Sequence, residues 1–408
     1  MKFDIWNDCP KIPLPEVLSF IVDNRGKTVP TAEKGYILIA TNCVKNENLY
    51  PSYEKIRFLS KETYHSWFRA HPKPGDILFV CKGTPGKCCM VPDPLDFCIA
   101  QDMVALRVNT KIIYNYYLLA ILRSREIQLQ IFNTSVGDVI PHFKKKFFYK
   151  IMIPVPSMKV QKIIGDYYRI FSLKIELNNR INDNLEQQLR AIFRAEFTDN
   201  PKLESITQIP LAELCHVITK GTTPTTLGKP FIENGINFIK AESILDDHSI
   251  DKSKFAFIDE ETNTLLKRSI IHAGDVVFTI AGTLGRFALI DDNVLPANTN
   301  QAVAIIRANV EKVLPEYIYA CFIGEWHTDY YAKRIQQAVQ ANLSLTTIKS
   351  LPIPLLDDIK MGEYLQVILP IIKAIKGNEA QNEALAALRD NLLPKLMSGE
   401  LDVSAIEL

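Results

Sequence analysis

Two stretches of this chain repeat each other at an offset close to 200 residues, and the repetition restricts the fold more than any single motif. Gly75-Asp76-Ile77-Leu78-Phe79 recurs as Gly274-Asp275-Val276-Val277-Phe278, and Gly83-Thr84-Pro85-Gly86-Lys87 as Gly282-Thr283-Leu284-Gly285-Arg286. Gln101 through Arg107 lines up with Gln301 through Arg307, Ile153-Pro154 with Ile353-Pro354, and Ile12-Pro13-Leu14 with Ile209-Pro210-Leu211. Chance does not hold that order and spacing across so many matches. The chain is a tandem duplication whose period is a whole module, and its 408 residues suffice for two or three domains.

Each module opens with a mixed region. Residues 76–80, 104–108, 275–280 and 302–306 are short, β-branched or aromatic, and bounded by Gly, Pro and Asn, which predicts strands. Residues 114–123 and 315–322 read as helices. Each module is therefore expected to be an α+β globule with its own core.

Each module ends differently. From Ser157 to Phe197 there is one glycine, Gly165, and no proline. Ile164, Phe171, Asn178, Leu185 and Ile192 share one heptad position, and Tyr168, Ile175, Asn182, Leu189 and Glu196 follow four residues on. This predicts an amphipathic helix of about 40 residues, roughly 60 Å long at 1.5 Å per residue.

The second copy places Tyr364, Ile371, Asn378, Leu385 and Leu392 at the first position, and Ile368, Ile375, Asn382, Arg389 and Leu396 at the second. Asn178 and Asn182 thus recur as Asn378 and Asn382 inside apolar seams, where a polar residue fixes register at some cost in stability; a partly exposed face tolerant of asparagine is the plainer alternative. Pro370 and Gly377 predict a kink in the second helix. Two similar helices, one closing each half, are expected to pair antiparallel about a pseudo-two-fold axis. The expected fold is two similar α+β globular domains, 1–156 and 202–356, separated by two long antiparallel coiled-coil helices, 157–201 and 357–408.

Net charge is only +1, but it is unevenly spread. Residues 1–156 carry 21 Lys and Arg against 14 Asp and Glu, an excess suited to a polyanion. Residues 202–356 carry 14 against 17, which speaks against the same role there. No apolar run is long enough for a membrane span, and the N-terminus lacks a signal peptide's apolar stretch, so a cytoplasmic location is expected. The eight cysteines form no C-x-x-C pair and read as reduced, mostly buried thiols; no metal site is expected.

No catalytic constellation is present. The sequence lacks an Asn-Pro-Pro-Tyr-like or Asp-Pro-Pro-Tyr-like methylation motif and a G-x-G-x-x-G after a strand. The 83–87 segment lacks the Gly-Lys-Ser/Thr ending of a phosphate loop and reads as a tight turn needing positive φ.

With these residues in view, the chain resembles, along nearly its whole length, the specificity subunit of type I restriction–modification enzymes. The resemblance rests on the paired loops Arg25-Gly26-Lys27-Thr28-Val29-Pro30 and Lys220-Gly221-Thr222-Thr223-Pro224, and on the paired Gly-Asp and Gly-Thr-x-Gly segments. It rests also on the Ile-Pro pairs entering long helices, with Gln161 nearby, and on the ending Leu392-Leu393-Pro394-Lys395-Leu396-Met397-Ser398-Gly399-Glu400. Met361 stands where Gln161 has its counterpart.

The resemblance implies two target-recognition domains that each read half of a split, asymmetric site in double-stranded DNA. It implies that the helices space them and bind two methyltransferase subunits. S-adenosylmethionine would sit in those partners and no cofactor in this chain, with motor–nuclease restriction subunits joining the full complex. A stand-alone methyltransferase or nuclease with drifted motifs, and a coiled-coil protein adaptor, are the rival readings.

Candidate DNA contacts follow from the paired loops. They are Arg25, Lys27 and Thr28 with Lys220, Thr222 and Thr223, and Thr84 and Lys87 with Thr283 and Arg286. Lys87 and Arg286 recur where a cation could meet a phosphate or a guanine. Lys144, Lys145 and Lys146 would contact phosphates, unless they are simply a solvated charge run. Their counterparts Gln340, Asn342 and Ser344 are uncharged, and Asn and Gln can read adenine.

Overall fold

The structure, a computed structural model, describes residues 4–24, 26, 28–134, 142–199, 206–328, 330–331 and 342–401. The chain divides into two compact units, Met1–Asn178 with Gln381–Leu408, and Asn179–Ala380.

The described strands of the first unit are β1 (Lys11–Pro13), β2 (Leu18–Val22), β3 (Tyr36–Ile39), β4 (Arg57–Leu59), β5 (Ile77–Val80), β6 (Cys88–Met90), β7 (Phe97–Ile99), β8 (Met103–Val108) and β9 (Met152–Pro154). They form an antiparallel sheet ordered β2-β8-β5-β6, a smaller sheet β4-β3-β7 in which β3 and β7 are parallel, and a β1-β9 ribbon.

The strands of the second unit are β10 (Thr207–Pro210), β11 (Cys215–Lys220), β12 (Ile236–Ile239), β13 (Ala256–Ile258), β14 (Val276–Thr279), β15 (Phe287–Leu289), β16 (Ala297–Thr299), β17 (Val303–Ala308) and β18 (Pro352–Leu355). They repeat the topology as β11-β17-β14-β15, β13-β12-β16 and β10-β18. Even the register recurs, with Ile77 opposite Leu106 and Val276 opposite Ile306. The duplication read from the sequence is a duplication of the fold.

Both faces of each larger sheet are covered, so alternating side chains feed two cores. Ile77 and Phe79 enter one cluster with Val104 and Leu106, while Leu78 and Val80 enter another with Met103 and Ala105. The same alternation separates Cys88 from Cys89, which lie in opposite cores. Burial raises both thiols' pKa, so neither is a ready nucleophile.

The Gly-Asp motif has a structural cause. Asp76 is buried, accepts from Lys73 N at 2.8 Å, and takes both arms of Arg107 at 3.0 and 2.8 Å. Asp275, wholly buried, repeats this with His272 N at 2.8 Å and Arg307 at 2.7 and 2.7 Å. Each pair ties the strand after the glycine turn to its neighbour. Tyr117 Oη likewise donates to Pro154 O, and Tyr317 Oη to Pro354 O, at 2.8 and 2.5 Å.

The long helices span Met158–Phe193, extended by a π-helical turn to Thr198, and Asp358–Met397. The second runs unbroken through Pro370 and Gly377. Within each unit the halves that meet are antiparallel. In the first unit Tyr167 Oη donates to Leu388 O and Asn178 Nδ2 to Gln381 Oε1. In the second, Asn378 Nδ2 donates to Asn182 Oδ1, while Phe197 lies 5.4 Å from Tyr364.

The seam drifts from a strict heptad. Ile164 and Asn178 are fully buried, but Phe171, Asn182, Leu185, Ile192, Ile371, Asn378, Asn382, Leu385 and Leu392 are only partly so. The neighbours Ser172, Phe193, Ile372 and Leu393 are buried instead. A straight helix drifts about 20° per heptad against a 3.5-residue repeat, which over four heptads sums to nearly one residue, as at Phe193 and Leu393; Ser172 and Ile372, only one heptad in, are not explained by it. Asn182 and Asn378, only half-buried, fit the plainer reading of a tolerant face better than Asn178 does.

Candidate nucleic-acid interface

Four glycines shape the paired turns that present the candidate cations. Gly83 and Gly86 adopt φ of 88° and 93°, and Gly282 and Gly285 of 78° and 86°. An added Cβ would meet nothing within 4 Å at Gly83, Gly282 or Gly285, so backbone conformation requires glycine there, not crowding. The turns close through Gly86 N to Val80 O and Gly285 N to Thr279 O. Thr84 and Thr283 sit exposed at the tips, with Lys87 and Arg286 half-buried behind them.

Beside each turn lies a segment distant in sequence. Phe143 N donates to Cys81 O at 2.7 Å and Leu343 N to Ile280 O at 2.9 Å, and Lys82 bridges His142. The structure therefore sets Lys144, Lys145 and Lys146 next to the 83–87 turn, and Asn342 and Ser344 next to the 282–286 turn. The three lysines are exposed; Lys145 Nζ lies 3.7 Å from Asp23, and Lys146 and Lys150 flank the Phe147 ring at 5.2 and 5.1 Å. Asn342 is exposed, whereas the Ser344 hydroxyl accepts from Thr347 N at 3.0 Å as a helix cap. Gln340 lies outside the described residues.

The loops after β2 and β11 are less alike. Arg25 and Lys27 lie outside the described residues; Thr28 is exposed. Lys220 is exposed at the end of β11, and Thr222 and Thr223 are half-buried, with Thr223 Oγ1 donating to Gln301 Oε1 at 2.5 Å. Gly221 is obligatory, since a Cβ there would stand 1.8 Å from Thr299 O.

Two residues escaped the sequence reading. Arg69 is exposed, and a Cβ on Gly26 would stand 3.9 Å from its Nη2. Its Nη1 donates weakly to Asp23 O at 3.5 Å, so Arg69 and Lys145 both meet Asp23, one at its carbonyl and the other at its carboxylate. No local pattern links positions so far apart. The second is Asp246, which accepts from Arg286 Nε at 2.6 Å and Nη2 at 2.7 Å, while Arg286 Nη1 donates to Ile244 O at 3.2 Å. The two recurrent cations therefore differ, for no carboxylate among the described residues lies within ion-pair distance of Lys87 Nζ.

Gln161 has a positioning role. It is buried, accepts from Tyr114 N at 2.8 Å, and donates to Ile112 O and Pro156 O at 3.0 Å each, fixing the start of the first long helix. Met361, its counterpart, packs against apolar neighbours instead. Among the described residues no group of three or more His, Cys, Asp or Glu could hold a metal, and no helix is long and apolar enough to cross a membrane.

Comparison with known proteins agrees with this duplicated arrangement. The chain is 24% identical over 322 residues to the type I restriction enzyme MjaVIII specificity subunit of Methanocaldococcus jannaschii, covering 75% of this chain and 74% of that one. It is 22% identical over 412 residues to the HindI specificity subunit of Haemophilus influenzae, covering 81% and 87%. Its fold is similar to the crystal structure of the type I restriction–modification S subunit from M. genitalium, with a TM-score of 0.54, 15% identity, and coverage of 97% and 98%. The family model for the type I restriction modification DNA specificity domain matches twice, over residues 25–187 and 204–381. The chain thus belongs to the type I restriction–modification DNA specificity family, and carries that domain in duplicate.

Proposed function

We propose that this chain is the DNA-reading subunit of a type I restriction–modification complex, with each unit reading one half of a bipartite, asymmetric site. The observation that carries the reading is the recurrence, in both units of one fold, of a glycine turn bearing a cation beside a polar segment from far along the chain. The first unit supplies Arg25, Lys27, Thr28, Thr84, Lys87 and the lysine run. The second supplies Lys220, Thr222, Thr223, Thr283, Arg286, Gln340, Asn342 and Ser344, using fewer phosphate contacts and more polar base contacts.

In this reading the domains are 1–156 and 202–356, and the long helices, 157–201 and 357–408, set the distance between half-sites. The chain carries no chemistry alone. It works in the cytoplasm with two methyltransferase subunits, which hold S-adenosylmethionine, and with restriction subunits.

The test is methylation mapping of the host genome with and without the gene, followed by duplex binding. A split methylated motif that vanishes with the gene is the expected result. Replacing Lys144, Lys145 and Lys146 with alanine should weaken cognate and random duplexes alike and flatten the salt dependence, by up to roughly 0.9 in log–log slope per lost phosphate contact. Methyl transfer by the purified chain alone, with labelled cofactor, would overturn the reading.

A further inference from the structure

Arg286 presents its fork, Nε and Nη2, to Asp246 in a two-bond pairing at 2.6 and 2.7 Å. The Asp246 side chain is 81% exposed while that of Arg286 is 24% exposed, so the carboxylate stands at the surface, over a guanidinium that sits largely within the fold. A guanidinium fork that holds a carboxylate in this way also fits a phosphate, or the O6 and N7 edge of guanine. The carboxylate comes from a loop whose ends are pinned by the Ile244–Ile250 bridge and by Asp251 N to Ser243 O, so it is held against the arginine.

The first unit lacks this arrangement. Asn46 stands at the place of Asp246, just after the matching turns Thr41–Cys43 and Ala241–Ser243. Its Oδ1 accepts from Cys88 N at 2.9 Å, and the cation at that turn is Lys87.

We propose that Asp246 is an internal stand-in for DNA: it occupies Arg286 in the free protein and is exchanged for a DNA acceptor pair only where the second half-site fits, making the two a specificity-determining pair. This rests on the DNA-reading function above and deepens it. On non-matching duplex, Asp246 keeps the arginine occupied and repels the backbone, so binding there is weakened. On the matching half-site, the bonds lost to Asp246 are remade to DNA. The acidic balance of the second module is then a discriminating feature of its DNA surface.

The experiment is duplex binding by the full chain, across a salt series, with random duplex and with the motif found by methylation mapping. Asp246→Asn keeps the side chain's size and removes its charge. It should tighten random-duplex binding about tenfold, equivalent to about 1.4 kcal/mol, tighten the matching duplex less, and so reduce discrimination. The Asp246→Asn gain should be markedly smaller in an Arg286→Gln background, where only the carboxylate's repulsion of the backbone is left to relieve; an equal gain in both backgrounds would show that Asp246 does not act through Arg286 and overturn the proposal.

A steeper salt slope on all duplexes identifies the acceptor as phosphate. A gain restricted to duplexes with guanine at one position of the second half-site identifies it as a base. If Asp246→Asn changes thermal stability but neither affinity nor discrimination, the pair is merely structural and the proposal falls. The Lys144–146 alanine variant is the control: if it still weakens binding, the DNA-reading function stands although this inference has failed.

Discussion

Asn178 Nδ2 donates to Asn382 Oδ1 at 2.8 Å in one unit, and in the other Asn378 Nδ2 donates to Asn182 Oδ1 at 2.8 Å. The two contacts exchange under the offset of 200 residues, so the duplication extends to single side-chain hydrogen bonds. An antiparallel pair permits this, because residue and partner swap roles from one copy to the other. Asn178 is completely buried; its Nδ2 is satisfied by Gln381 and Asn382 of the opposite helix, which offsets its desolvation, while its Oδ1 has no hydrogen-bond partner among the described residues.

Replacing Asn178 alone with leucine should destabilise the first unit by roughly 1–3 kcal/mol, since Asn382 loses a donor in a desolvated seam. The double replacement Asn178→Leu with Asn382→Leu should recover much of that loss while loosening helix register. Urea unfolding of the single and double variants checks this. A double variant no more stable than the single would show that the pair does not act as a unit.

Two helical glycines should behave oppositely. A Cβ at Gly165 would stand 2.7 Å from both the Tyr114 ring and Tyr117 N, whereas at Gly377 nothing lies within 4 Å. Gly165→Ala should cost about 1–3 kcal/mol through overpacking. Gly377→Ala should stabilise by roughly 0.5–1 kcal/mol through reduced backbone freedom of the unfolded chain. Unfolding midpoints of opposite sign are the expected readout.

Asp275→Ala should be among the most damaging single changes in the second unit. Asp275 is wholly buried and takes both arms of Arg307, so its loss strands a partly buried guanidinium. A loss of about 3–5 kcal/mol is expected. Thermal unfolding that matches the parent protein would contradict the assigned role of the Gly-Asp motif.

Acid should weaken the second unit through His327. Burial comes first, then the neighbouring His248 and Arg190, in lowering this imidazole from 6.5 to about 4. Its ring lies among Phe278, Phe287, Phe322 and Tyr331. Between those two values the unfolded chain binds the proton that the folded one refuses. The stability contribution is therefore complete above about pH 6.5 and is lost as pH falls toward 4. At pH 5 the loss from this group is on the order of 2 kcal/mol. His327→Phe should lose less stability between pH 7 and pH 5 than the parent in urea titrations.

Much of the fold was legible because it is local. The strands at 77–80 and 103–108 and their second copies announce themselves by β-branched and aromatic runs between turn residues. Both long helices announce themselves by apolar spacing over many turns, and the repeated Ile-Pro entries mark where they begin. The glycine turns were legible too, because positive φ is a property of one residue's own backbone.

What the sequence determined by itself was therefore the duplication, the element types and the antiparallel sense of two matching helices. Only the tertiary structure decided which residue of each helical turn is buried. A 3.6-residue helix drifts across a 3.5-residue pattern, so after four heptads Phe193 and Leu393 are the buried residues where the pattern expected Ile192 and Leu392. Only the tertiary structure, too, brought Arg69 and Lys145 together at Asp23 and closed Asp246 on Arg286. Those contacts join positions tens of residues or more apart, and no local periodicity encodes such a meeting. It arises only when sheet order and loop closure have placed the two backbones within a side chain's reach.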